Sequence, residues 1–145
     1  AGGRDVAATL LTMGQAQDRE AALLAPVAHA MTDVTGFGLA GHVHAMCQAS
    51  KLDAHLFHDA IPTYPGARVL SDAGISSTLM PANYLDTAVV GPHDALLYDP
   101  QTAGGLLAAV PENLSTNILQ ALLAQGVIGH IIGRLSKGTG RLFLS

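Results

Sequence analysis

Apolar residues recur with helical spacing near the C-terminal end, where Leu114, Ile118, Leu119, Leu122 and Leu123 follow Pro111-Glu112 and stop before Gly126. This predicts an amphipathic helix opened by a proline and closed by a glycine cap. Near the other end, Val6, Leu10, Leu11, Ala21, Leu23 and Leu24 are spread among polar residues from Asp5 to Ala25. They predict one or two helices broken near Gly14 and ended by Pro26. A short apolar run from Val27 to Asp33 then reads as a strand, followed by a tight turn at Thr35-Gly36-Phe37-Gly38 and a helix to about Ser50. Leu52 to Ile61 roughly alternates and predicts a strand closing a βαβ-like unit, stopped by Pro62 and Pro65. A helix is predicted from Gly66 to Ala73. Residues 74–86 show no period and carry Ser76, Ser77, Pro81 and Asn83, which predicts a long loop. Asp99 to Gly105 forms a second glycine-bearing turn before an apolar strand, Leu106 to Val110. Val127–Leu135 and Gly140–Leu144 read as two strands around a Ser-Lys-Gly-Thr-Gly hairpin. The order of elements predicts an α+β fold, with helices packed on a mostly antiparallel or mixed sheet. One domain is expected over residues 1–145, with 1–26 as a helical lead-in.

Composition narrows the function. A chain of 145 residues, 49% of them hydrophobic, can bury one ordinary core, and with only 12% charged and no Trp that core is aliphatic. The formal net charge is −4, and the seven basic residues are scattered from Arg4 to Arg141, so no nucleic-acid surface is expected. The lone Cys47 cannot form an internal disulfide and suits a reducing compartment. No apolar run reaches membrane-spanning length and no signal-peptide pattern opens the chain, so a cytoplasmic location is expected. The sequence begins Ala1-Gly2-Gly3 rather than with Met, and is expected to continue a longer protein.

Two segments could carry chemistry. Thr32-Asp33-Val34-Thr35-Gly36-Phe37-Gly38 sets a carboxylate at a strand end, followed by two glycines at a helix start. Glycines admit close approach to a ligand, helix-start N–H groups favour anions, and a carboxylate can hold Mg²⁺ against phosphate oxygens. On residue chemistry alone Asp33 could equally be a helix cap. Asp99-Pro100-Gln101-Thr102-Ala103-Gly104-Gly105 is the second segment, with a plain β-turn as its alternative. The histidines do not make a metal site: His42 and His44 point to different helix faces, and His55 and His58 to opposite sides of a predicted strand. Cys47 reads as a small core residue.

Together, Thr32-Asp33-Val34-Thr35-Gly36-Phe37-Gly38-Leu39-Ala40-Gly41-His42 and Asp99-Pro100-Gln101-Thr102-Ala103-Gly104-Gly105-Leu106-Leu107 resemble the two signature segments of the selenophosphate synthetase (selenide, water dikinase) C-terminal domain. Their order and spacing match as well. Ile61-Pro62, Pro65-Gly66-Ala67, Asn83 and Ile131-Ile132-Gly133-Arg134 extend the likeness from about Val27 to Leu135. Ala103 stands where that family usually has Ser, and Ser76-Ser77-Thr78-Leu79 lacks its usual glycine pair. The resemblance implies a fold like the C-terminal half of aminoimidazole ribonucleotide synthetase. It also implies an Mg²⁺-dependent reaction in which ATP, selenide and water give selenophosphate, AMP and orthophosphate. It assigns Asp33 to metal, and Thr35, Gly36, Gly38, Thr102, Gly104 and Gly105 to nucleotide phosphate. The catalytic Cys or selenocysteine and its Lys would belong to an N-terminal half that this chain lacks, and Cys47 does not match them. Expected partners are that N-terminal domain, ATP, selenide, and a second copy of the chain. The alternatives are a stand-alone regulatory or scaffold domain of the same fold, or another ATP-dependent member such as a thiamine phosphate kinase or hydrogenase-maturation protein. The Thr-Gly-Phe-Gly and Asp-Pro-Gln-Thr wording argues against the last.

Overall fold

The computed structural model describes residues 18–145. The predicted lead-in lies outside the described residues up to 17, while residues 18–24 are helical (α1). The elements that follow are β1 (Ala30–Asp33), α2 (Gly38–Ser50), β2 (Leu52–Leu56), α3 (Ala67–Asp72), α4 (Met80–Asp86), β3 (Val89–Val90), β4 (Leu106–Ala109), α5 (Ser115–Ala124), β5 (Gly133–Lys137) and β6 (Leu142–Leu144). Short 3-10 turns occupy His58–Ala60, Ala95–Tyr98 and Glu112–Leu114. They form two compact units, the first holding the described residues up to Val34 with Thr102–Ile131, the second Thr35–Gln101 with Ile132–Ser145.

In the first unit β1 and β4 pair antiparallel, with Ala30 opposite Ala109 and Asp33 opposite Leu106. Leu24, Val34 and Leu122 are its buried apolar side chains. Gly126 closes α5 with φ +76° and donates its N–H to the Leu123 carbonyl, the left-handed cap that the sequence predicts.

In the second unit the strand order is β3-β6-β2-β5, with β5 antiparallel to β2 and β6 parallel to both β2 and β3. The α2 helix presents Ala40, Val43 and Cys47 along one stripe, and these join Ala54, Leu56, Leu97, Tyr98, Leu142 and Leu144 in the core. Cys47 is 1% exposed, so it is the core residue expected. Burial, with the nearby Asp53 charge, pushes its thiol pKa up and keeps it unreactive.

Several expectations are corrected. β1 and β2 lie in different sheets, so β2 closes no βαβ unit with β1. β5 and β6 are not a hairpin, because β2 runs between them. The cause is Asp53: its buried Oδ1 accepts the backbone N–H groups of Thr139 (2.8 Å), Gly140 (3.1 Å) and Arg141 (2.8 Å). These bonds, led by Arg141, hold the Asp53 pKa below its ordinary value and carry the connection across the start of β2. β2 ends at Leu56, so His58 lies in a 3-10 turn rather than a strand. β5 starts only at Gly133, leaving 127–132 outside the strand predicted from Val127. Residues 80–86 of the predicted loop form α4, with Pro81 in its first turn. Asn83 is its one buried residue, so no apolar stripe marks the helix in sequence.

An ion cluster around the buried Asp94 braces α3. Asp94 accepts from Arg68 Nη1 (2.7 Å), His58 Nε2 (2.9 Å) and the Leu96 N–H (3.0 Å). Burial pushes its pKa up, yet the bonds from Arg68, Leu96 and His58 outweigh burial and hold it below the usual carboxylate value. A carboxyl with a depressed folded-state pKa contributes stability above its unfolded value and loses it as pH falls through the folded value. The urea midpoint is therefore expected to fall as pH drops below about 4, the unfolded Asp value. Asp94→Asn should flatten that fall, and an unchanged acid limb in the variant would contradict the assignment.

Candidate functional site

The two segments singled out from sequence run beside each other in both units. In the first, the Val34 N–H donates to the Gly105 carbonyl (3.0 Å) and the Gly104 N–H to the Val34 carbonyl (3.0 Å). In the second, the Gln101 N–H donates to the Thr35 carbonyl (3.1 Å), and the buried Asn83 amide donates to the carbonyls of Gly36 (2.8 Å) and Tyr98 (2.9 Å). A side chain from α4 thus ties the first segment to the Ala95–Tyr98 turn that leads into the second.

Asp33 ends β1 with its side chain exposed, and its carboxylate makes no hydrogen bond or ion pair with any described residue. It does not cap α2, whose N-cap position is Phe37 with no side-chain bond. Helix capping is therefore not its role. As a hard, unpartnered oxygen donor it fits a divalent cation. The described residues hold no group of three or more His, Cys, Asp or Glu placed to bind a metal.

The glycines divide into two kinds. Gly38 has φ +69°, and a Cβ there would meet the Leu97 carbonyl oxygen and the Tyr98 carbonyl carbon, each at 2.8 Å. Gly104 is buried, and a Cβ would overlap the Val34 carbonyl oxygen. These two let backbone pass against backbone. Gly36 and Gly105 are exposed, lack a positive φ, and would place a Cβ in open space. Nothing among the described residues demands glycine at either. Thr102 is exposed and has no partner among the described residues.

Thr35 turns inward instead. Its N–H donates to His42 Nε2 (3.0 Å), its hydroxyl lies 3.2 Å from the same nitrogen, and its carbonyl also accepts the Gly38 N–H (3.0 Å). Sequence reasoning gave His42, Asn83 and Gln101 no role. His42 was legible only as part of the signature segment, and Asn83 only as a family-like residue inside an apparent loop. Asp99 is half-buried and bonded by Gln101 Nε2 (3.1 Å). Burial raises its pKa, partly offset by that bond, and its side chain helps line a recess of about 220 Å³ with Leu70, Ile75, Met80 and Leu96.

The family model described as AIR synthase related protein, C-terminal domain, matches residues 3–144. The chain belongs to that family. Among curated relatives, the selenide, water dikinase of Pseudomonas straminea is 33% identical over 125 residues, covering 80% of this chain and 35% of its own length. That of Shewanella baltica (strain OS155 / ATCC BAA-1091) is 40% identical over 116 residues, covering 77% and 33%. The domain therefore spans about a third of the length of the curated relatives it matches. Its fold is also that of E. coli HypE, a hydrogenase maturation protein, with TM-score 0.62 at 23% identity over 86% of this chain and 34% of the other. The selenophosphate synthetase C-terminal domain read from the two signature segments is thus supported by relatives of that name. No described helix is long and apolar enough to cross a membrane.

Proposed function

We propose that this chain is the C-terminal domain of a cytoplasmic selenophosphate synthetase, helping to bind the phosphates of Mg-ATP while ATP, selenide and water give selenophosphate, AMP and orthophosphate. The carrying observation is Asp33, an exposed carboxylate at a strand end with no partner among the described residues, followed in sequence by the Thr35–Gly38 turn. In that turn the N–H groups of Gly36 and Phe37 have no acceptor among the described residues, and Gly36 adds no side chain to block an approaching anion. Gly105 and Thr102 are open in the same way, whereas Gly38 and Gly104 shape the backbone and the Thr35 carbonyl holds the turn closed. Asp33 would ligate Mg²⁺, which when bound screens phosphate charge and fixes the orientation of the triphosphate. No catalytic nucleophile is assigned to this domain. Its partners on this reading are an N-terminal domain, ATP, selenide and a second copy of the chain.

The isolated chain is expected to show no selenide-dependent ATP consumption, because positioning of ATP against the nucleophile requires the rest of the enzyme. Coupled detection of AMP from the isolated chain and from a full-length protein carrying it tests this. AMP production by the isolated chain, or its absence in both, would contradict the assignment.

A further inference from the structure

We propose that His42 and Asn83 are positioning residues that set which N–H groups of the Thr35–Gly38 turn are presented to phosphate. This rests on the functional reading above. A trans peptide is planar, with its C=O and the following N–H directed to opposite sides, so fixing one carbonyl fixes the next N–H. The Thr35 carbonyl is held by the N–H groups of Gly38 (3.0 Å) and Gln101 (3.1 Å), which turns the Gly36 N–H the other way. The Gly36 carbonyl is held by the Asn83 amide at 2.8 Å, which does the same to the Phe37 N–H. His42 removes the remaining candidate: its Nε2 accepts the Thr35 N–H at 3.0 Å, so that donor is spent inside the chain. Accepting that N–H requires a lone pair on Nε2, which places the ring proton on Nδ1 and leaves Nε2 unable to ligate a metal. The turn thus shows two successive N–H groups with no acceptor among the described residues, from Gly36 and Phe37, and withholds those of Thr35 and Gly38. The Phe37 ring lies 5.9 Å from the His42 ring, tilted by 59°, so the exposed end of the turn also rests on this histidine.

Asn83 earns its burial through the same arrangement. It is 8% exposed, and its Nδ2 donates to the Gly36 carbonyl at 2.8 Å and the Tyr98 carbonyl at 2.9 Å, so both its amide hydrogens are used on main-chain oxygens, one in the first segment and one in the turn that precedes the second. An aspartate there would set a carboxylate against two carbonyl oxygens and lose both bonds.

The test is ATP kinetics of a full-length protein carrying His42→Ala or His42→Gln, with Thr35 amide hydrogen exchange measured in this chain. A hydrogen bond of ordinary net strength predicts that His42→Ala raises KM for ATP about tenfold and leaves kcat nearly unchanged. Gln, whose side-chain carbonyl can accept the same N–H, should restore KM to within about threefold of the parent. A lowered melting temperature with unchanged KM, or equal KM defects in Ala and Gln, would overturn the proposal. If the parent enzyme consumes no ATP, the functional reading fails and the exchange data decide the rest. A Thr35 amide protected in the parent and fast in His42→Ala supports the positioning role, and equal exchange in the two overturns it.

Discussion

Asp33→Asn in a full-length protein is expected to cut selenide-dependent ATP turnover by a factor of hundreds while leaving the melting temperature unchanged. The amide keeps the size of the side chain and removes the negative charge that a hard cation prefers. Losing one charged ligand from a site that screens several phosphates should cost on the order of 3–4 kcal/mol of transition-state stabilisation, which is a rate factor of hundreds. The fold has no stake in the charge, since the carboxylate is exposed and bonds to no described residue. The stability change should therefore stay within about 0.5 kcal/mol. Rates measured across a Mg²⁺ titration, beside thermal melts, separate the two effects. Near-normal turnover with unchanged Mg²⁺ dependence would remove Asp33 from the metal site.

Gly38→Ala should do the reverse, damaging the fold rather than the chemistry alone. At φ +69° an alanine pays roughly 1–2 kcal/mol for the left-handed conformation. Its Cβ would also press on the Leu97 oxygen and the Tyr98 carbonyl carbon at 2.8 Å, and neither backbone atom can swing aside. Together these predict a loss of about 3–5 kcal/mol, a large share of the 5–15 kcal/mol typical of a domain. The melting temperature should fall by roughly 10 °C or more. Gly36→Ala is the control, because nothing lies within 4 Å of its Cβ, and it should melt with the parent. Equal melting of the Gly38 and Gly36 variants would contradict the tight passage at Gly38.

Much of this architecture was legible where local signals and tertiary packing agree. The 13 residues of α2 follow the glycine turn and end at Ser50 as the pattern predicts, because Ala40, Val43 and Cys47 form one buried stripe. α5 was readable for its apolar spacing and Gly126 cap, although Pro111 opens the 3-10 turn Glu112–Leu114 and the helix itself starts only at Ser115. α4 was not, because its anchor is a polar side chain, Asn83, and the helix buries no apolar residue. The connection between β5 and β6 looked like a hairpin because Ser-Lys-Gly-Thr-Gly has hairpin chemistry. Its true path depends on Asp53, more than 80 residues earlier, and such distant pairing leaves no periodic trace. At the site, the signature segments marked the right stretches but not the division of labour within them. Gly36 and Gly38 look alike in sequence, and only the space around each separates an open position from a backbone crossing. The same holds for Thr35, whose hydroxyl and N–H are spent on His42 rather than left open.

Phosphorus NMR of a full-length protein carrying this domain, supplied with ATP, Mg²⁺ and selenide, tests the central claim most directly. The account predicts that ATP resonances are replaced by those of AMP, orthophosphate and a new phosphorus–selenium species, only when selenide is present, and that Asp33→Asn suppresses all three. Selenide-independent conversion of ATP to ADP, or no conversion at all, would contradict it.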